Sequence, residues 1–171
     1  MQEGFRSPEA EIIITPILKL TIFFEEEGDE IALVKFINSP KSWFATRLDW
    51  TDFQDTADQR ILKELEVAKG FVVYHDTYTV LNQDLQEYIS KKEITEVFLC
   101  GVFTDVCITK TAMDLFDLQI LCKAVEDACN SLHGKKHHRQ TVDSLKHILG
   151  RKKVVKVEAV INSSTNQSKQ C

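Results

Sequence analysis

A chain of 171 residues with 43% hydrophobic and 27% charged side chains has the make-up of one soluble globular domain with a substantial core. Its formal net charge of −5 argues against nucleic acid or an anionic membrane as the main partner. No stretch approaches the roughly 20 apolar residues of a membrane helix, the opening "MQEGFRSPEAE" lacks a signal peptide's apolar region, and five cysteines without a CxxC pair predict reduced thiols in a cytoplasmic protein.

In chain order, "EAEIIITPILKLTIFF" is apolar and helix-length, but its isoleucines and proline leave helix and strand open. "EEEGDE" reads as a charged loop. "IALVKFI" (31–37) predicts a strand, and "SWFATRLDW" (42–50) a second one after the "NSPK" turn. "DTADQRILKELEVAKG" puts Ile61, Leu62 and Leu65 at helical spacing, with Gly70 as its stop. "FVVYH" is a short strand. "NQDLQEYISKK" is a helix with Leu85, Tyr88 and Ile89 on one face and lysines in its last turn, where the dipole favours them.

The second half is more regular. "EVFLCGV" (96–102) is the continuous apolar run of a parallel strand covered on both faces. Thr104 or Asp105 is expected to cap a helix over 106–117 that turns Ala112, Leu115 and Phe116 inward. "QILCKAV" (119–125) predicts a buried strand, "HHRQTVDSLKHIL" an amphipathic helix and "KKVVKVEAV" a last strand. The domain is expected over 1–161, with the polar 162–171 as a disordered tail. Alternating strands and helices mean an α/β fold with a mainly parallel sheet.

Ligands bind such sheets at the carboxyl ends of the strands. Cys107 falls there, on the turn after the 96–102 strand. Two readings stay open on position alone. Cysteine packs as a small hydrophobe, while a helix N-terminus lowers a thiol's pKa and favours the reactive thiolate. Cys100, Cys122 and Cys129 lie on or near buried strands and read as core. The "HGKKHHR" stretch, with His133, His137 and His138, reads as a solvated helix entrance, and His75 as structural.

"VFLCGVFTDVCITKTAMDLFDLQILCKAVEDAC" resembles the signature of the isochorismatase-like cysteine hydrolases, which include the nicotinamidases. The nucleophile turn of that family falls on Gly101 to Cys107, its Thr-Ala pair on Thr111 and Ala112, and its next strand end on Asp127 to Cys129. "KGFVVYHDTYT" is similar to a nicotinamidase stretch that carries the catalytic lysine, and that match falls on Lys69. "MQEGFRSPEAEIIITPI" is similar to the family's opening motif, with Gln2 on its glutamine. The resemblance implies a three-layer αβα fold with Cys107 as nucleophile and Lys69 steadying the thiolate. It also implies an oxyanion hole from the backbone amides of Phe103 and Cys107, aimed by a cis peptide at Val102–Phe103.

The family's general base would fall one place before Met1, and the strand that precedes it would be missing. The family's zinc, or another divalent ion, is held through an Asp-x-His and a further His. "LDWTDFQD" retains Asp49, but Thr51 stands at the histidine position, and one carboxylate does not hold zinc. By the resemblance the expected activity is hydrolysis of nicotinamide to nicotinate and ammonia in NAD salvage. The implied partner is a small amide, with no nucleic acid and no membrane, and with self-association as an oligomer. The alternative is a truncated, catalytically inactive member acting as a binding or oligomerising subunit.

Overall fold

The computed structural model describes residues 1–66 and 68–167. After a 3-10 turn at Glu3–Phe5, a short helix α1 (Pro8–Glu11) is capped by Ser7, whose hydroxyl accepts from the Ala10 N–H at 3.1 Å. The ambiguous apolar stretch that follows is helix α2 (Ile14–Glu27). Pro16 sits in its first turn, where a backbone N–H has no partner to lose. Ile13, Ile17 and Leu20 recur at helical spacing and are buried, and Gly28 ends the helix at φ 77°.

Strand β1 (Ala32–Phe36) leads to α3 (Trp43–Arg47), capped by Ser42. The 42–50 segment is therefore helical at its core, not a strand. Its bulky residues look β-like, but the Ser42 cap nucleates a turn, and Trp43 stays 77% exposed where a buried strand would hide it. The helix expected before Gly70 shrinks to a 3-10 turn at Lys63–Leu65. Strand β2 (Phe71–His75), helix α4 (Gln83–Lys91, capped by Asn82) and strand β3 (Glu96–Val102) lie where the sequence places them.

Beyond β3 the Val102–Phe103 peptide is cis. A π-helical turn, Thr104–Ile108, carries Cys107 and runs into α5 (Thr109–Asp117). Phe103 is the residue before that turn, and no side chain caps it. Thr104 and Asp105 turn their polar atoms elsewhere instead. Strand β4 (Leu121–Asn130) and helix α6 (Lys135–Ile148) follow. The last strand, β5, is only Val154–Val155, because Val157–Gln167 forms helix α7. The apolar spacing of Val157 and Val160 buries one helical face against the sheet, and the helix carries on into the expected tail. Residues 168–171 of that tail lie outside the described residues.

The strands are all parallel but form two sheets, β1–β2 and β3–β4–β5. One core spans both, joining Val73 of β2 and Leu99 of β3 with apolar residues of α4, α5 and α6. A second core lies against Val125 and Ala128 of β4 and is built by α2 and α7. Helices thus cover two faces, as a three-layer α/β fold requires. Between the half-sheets sits the start of the chain. The buried Gln2 side chain donates to the Phe36 carbonyl at 2.9 Å and accepts from the Phe36 N–H at 2.7 Å. It gives β1 the bonds that a neighbouring strand would give. Behind it, the backbone of Gln2 bridges Ile61, and Leu62 N–H donates to the Met1 carbonyl at 2.9 Å.

Candidate active site

The carboxyl ends of β1 and β3 meet through a chain of aromatic rings. Phe36 at the end of β1 packs on Phe53 (5.7 Å), Phe53 on Phe5 (4.2 Å), and Phe5 edge-on to Phe103 (5.6 Å). Gly4 permits this, since a Cβ there would sit 2.6 Å from the Phe53 ring. The Cys107 turn therefore opens at the same sheet edge as the ends of β1 and β2.

Cys107 is half-buried. Burial pushes its thiol up, while the backbone N–H groups of Phe103 and of Cys107 itself pull it down, and the Asp105 charge pushes it up again. The balance lies above the ordinary thiol value, so the helix start does not by itself make a thiolate here. The Phe103 and Cys107 N–H groups are the two backbone amides for which the resemblance implies an oxyanion hole. Such donors hold a thiolate or a developing oxyanion.

The structure does not bring Lys69 to this edge. It precedes β2, is exposed, and its backbone N–H donates to Glu25 Oε1 at 3.1 Å, near the C-terminus of α2. Strand β2, at about 3.3 Å per residue, separates it from the aromatic edge by roughly 16 Å. The titratable side chain that β2 delivers to that edge is His75, at the strand's end. It is buried against Phe36 (5.3 Å), with Nδ1 on the Thr77 carbonyl at 2.9 Å. The Lys-Gly match pointed to the wrong end of the strand because it was read on sequence spacing alone.

Asp49 is exposed and takes a positive φ of 53° after α3. Among the described residues no three His, Cys, Asp or Glu side chains gather as a metal ion would need. Zinc wants three or four such ligands, and Asp49 with Thr51 nearby does not fit it.

The histidines about the start of α6, read from the sequence as a solvated helix entrance, are engaged at this edge. His133 Nδ1 lies 2.7 Å from Asp105 Oδ2, and His138 Nδ1 lies 2.9 Å from Thr104 Oγ1. Two residues of the Cys107 turn are thus held by this stretch, which is not a merely solvated entrance. The signal was present as three imidazoles within the six positions 133–138, soon after β4, whose carboxyl end lies beside that of β3. Cys122 and Cys129 are core, as expected, with their thiols on the Ala112 and Leu99 carbonyls. Cys100 is not: its side chain is exposed between the half-sheets, near the amino group of Met1.

The isochorismatase domain model matches residues 1–155. The chain belongs to the isochorismatase family. Over 65 residues it is 37% identical to isochorismatase domain-containing protein 2 of Bos taurus; the match spans 37% of this chain and 32% of that relative's length. Among solved structures, a nicotinamidase from Bacillus subtilis superposes at TM-score 0.80 and 20% identity, covering 91% of this chain and 94% of that one. An N-carbamoylsarcosine amidase from Thermoplasma acidophilum superposes at TM-score 0.77 and 19% identity, covering 89% and 86%. This isochorismatase fold is the three-layer α/β architecture anticipated from the sequence, and the family consists of hydrolases that include amidases.

Proposed function

We propose that this isochorismatase-family chain is a nicotinamidase-like amidohydrolase that works through a thioester on Cys107. The observation that carries the reading is the placement of Cys107 on the π-helical turn just past the carboxyl end of β3, at the edge where the aromatic chain from the end of β1 arrives. Acyl transfer needs a nucleophile, a group that handles its proton, and donors for the oxyanion. The thiol attacks the amide carbon, and the negative carbonyl oxygen settles on the two amides. The C–N bond then breaks and ammonia leaves with a proton. Water cleaves the thioester to give the acid. Nicotinamide as substrate, with a role in NAD salvage and a cytoplasmic location, is supported by the nicotinamidase resemblance and the similar fold. N-carbamoyl compounds are the competing amide class, since an amidase for one of them shares that fold.

A second reading is favoured by one observation. The thiol sits above its ordinary value with Lys69 at the opposite edge, as suits a member that binds amides without turning them over. Ammonia release from nicotinamide and from N-carbamoylsarcosine, with Cys107→Ser as control, separates these readings. Release from nicotinamide that disappears in Cys107→Ser supports the amidohydrolase. Release preferring the N-carbamoyl compound reassigns the substrate, and binding without release supports the inactive form.

A further inference from the structure

Cys107 stands on a single π-helical turn, Thr104–Ile108. Such turns are rare, and so short a helical segment is not stable on its own backbone bonds. Within it the Val106 and Ile108 N–H groups both donate to the Phe103 carbonyl, at 3.2 and 3.1 Å. Further support comes from outside the turn. Thr104 and Asp105, just before Cys107 in the chain, each place a side-chain oxygen on an imidazole from the stretch that opens α6. Thr104 Oγ1 lies 2.9 Å from His138 Nδ1, and Asp105 Oδ2 lies 2.7 Å from His133 Nδ1.

The loop that receives Asp105 is itself fixed. Asn130, at the end of β4, donates through Nδ2 to the Glu9 carbonyl of α1 at 2.9 Å, and its Oδ1 accepts the Ser131 N–H at 2.9 Å. The Ser131 hydroxyl accepts the His133 N–H at 3.0 Å, and the Ser131 carbonyl accepts the Gly134 N–H at 3.1 Å. Asn130 and Ser131 are both buried, so water competes little for these bonds. A run of hydrogen bonds therefore leads from α1, through the end of β4, to the Cys107 turn. Its last step is charge-assisted. A carboxylate only accepts, so Nδ1 of His133 carries the proton, and such bonds are roughly twice as strong as neutral ones. The His133 ring also lies against the Phe103 ring, with centroids 5.3 Å apart. The charge of Asp105 opposes ionisation of the Cys107 thiol. What the carboxylate offers the site is a fixed place for the turn.

We propose that Asp105 is a positioning residue for Cys107: its contact with His133 ties the π-helical turn to the buried loop after β4 and so sets where the sulfur stands at the strand edge. The consequence for turnover rests on the thiol-hydrolase reading above; the tie itself does not. Without the contact the turn keeps its bonds to the Phe103 carbonyl and the Thr104–His138 contact, and its middle residues gain freedom. A nucleophile misplaced by about 1 Å costs up to roughly a hundredfold in rate. Alignment of this kind is felt in kcat, with KM little changed.

The test is amide hydrogen exchange together with steady-state ammonia release from nicotinamide, at one neutral pH. In Asp105→Ala the Val106 and Ile108 amides should exchange about tenfold faster or more, while those of Leu99 and Ala124, in the β3–β4 pair, keep the wild-type rate. In the same variant kcat should fall about tenfold or more, with KM changed by less than about threefold. Asp105→Asn keeps an acceptor oxygen for His133 and drops the charge, so it should retain most of both properties. His133→Ala cuts the same contact from its exposed side and should reproduce the local pattern, and Asp105→Ala should then add little on top of it. Asp143→Ala, which removes an exposed carboxylate from α6, is the control and should change neither readout. Turn amides that exchange at the wild-type rate in Asp105→Ala overturn the proposal, as does a rise shared equally by Leu99 and Ala124. An Asp105→Asn variant as impaired as Asp105→Ala overturns it too, since charge and not the contact would then carry the effect. Local exchange as expected, without ammonia release from the wild type, upholds the tie and removes the hydrolase reading. Release undiminished in Asp105→Ala overturns the positioning role and leaves that reading standing.

Discussion

His75 and His138 are both held below the ordinary imidazole value, in each case chiefly by burial. A buried imidazole resists protonation, so between pH 6.5 and the lower folded value the unfolded chain binds more protons than the folded one. Stability therefore falls as pH drops through that window and is fully present above it. We expect the urea midpoint to decline from pH 7.5 to pH 5.5, and His138→Gln to flatten that slope whatever it does to the midpoint at pH 7.5. An equal slope in the variant would mean that His138 does not carry the effect. Asp105 acts in a separate window. Burial pushes its carboxyl up, but the hydrogen bonds of His133 and Ser131 outweigh this and hold it below the ordinary value. Its contribution is present above about pH 4 and is lost only as the pH falls further. At this scale the sequence was legible where chemistry is local. The Gly101–Cys107 turn could be placed at the end of β3 from the motif, because it is one short stretch of backbone. Lys69 and the α6 histidines were misjudged, because which end of a strand a residue occupies, and what packs across from it, are tertiary facts.

Elements were readable in proportion to how far a cap or a proline fixed them. The Leu85, Tyr88 and Ile89 spacing announced α4, and the Pro16 position, once seen in a first turn, makes α2 a helix. The 42–50 and 152–160 segments are short and rich in aromatic or β-branched residues, so periodicity alone could not separate strand from helix. Two joints between elements deserve direct tests. A Cβ on Gly70 would lie 2.3 Å from the Ile31 carbonyl oxygen, which accepts the Phe71 N–H at 2.8 Å to start the β1–β2 pair. Gly70→Ala must push the strands apart there, and a loss of about 1–3 kcal/mol is expected from overpacking of this kind. Chemical denaturation checks it, and an unchanged midpoint would show that the strand start can shift freely. Gln2→Ala strips Phe36 of both its edge bonds at a buried position. Leaving buried donors and acceptors unpaired costs about 1–3 kcal/mol, so a drop of roughly 2–10 °C in Tm follows for a chain of this size. Gln2→Glu should also lose stability, since a carboxylate cannot donate to the Phe36 carbonyl. If Gln2→Ala melts with the wild type, water has replaced the amide and the bonds carry nothing.

The whole molecule is held together across a gap in its hydrogen bonding. Two parallel half-sheets share one apolar core, through Val73 and Leu99, yet β1 and β3 do not pair with each other. Fold class was legible because alternating strands and helices and apolar runs report on layers; the division of the sheet was not, because no local pattern says which strands pair. Phe36 is met by Gln2, but Val34, two residues back on the same edge of β1, has no strand beside it among the described residues. Such an edge invites pairing with another chain. The β3 edge is open near the exposed Cys100, and the amino group of Met1 lies beside that residue, so an added segment entering Met1 would run along both edges. We therefore expect that fusing an apolar strand of about six residues ahead of Met1 closes the sheet. Its N–H and C=O groups would satisfy both edges, each bond contributing about 0.5–1.5 kcal/mol net, and a rise in Tm of the order of 5–10 °C follows. Hydrogen exchange supplies the local readout. In the chain as it stands, the Val34 amide should exchange far faster than that of Val73, which is buried and paired within β2. In the extended chain the Val34 amide should slow toward the Val73 rate, and Cys100 should lose its reactivity toward small thiol reagents. A Polar control segment of equal length should change neither. If Val34 is already protected in the unextended chain, its edge is closed by some contact other than a strand, and the extension will give no gain in Tm.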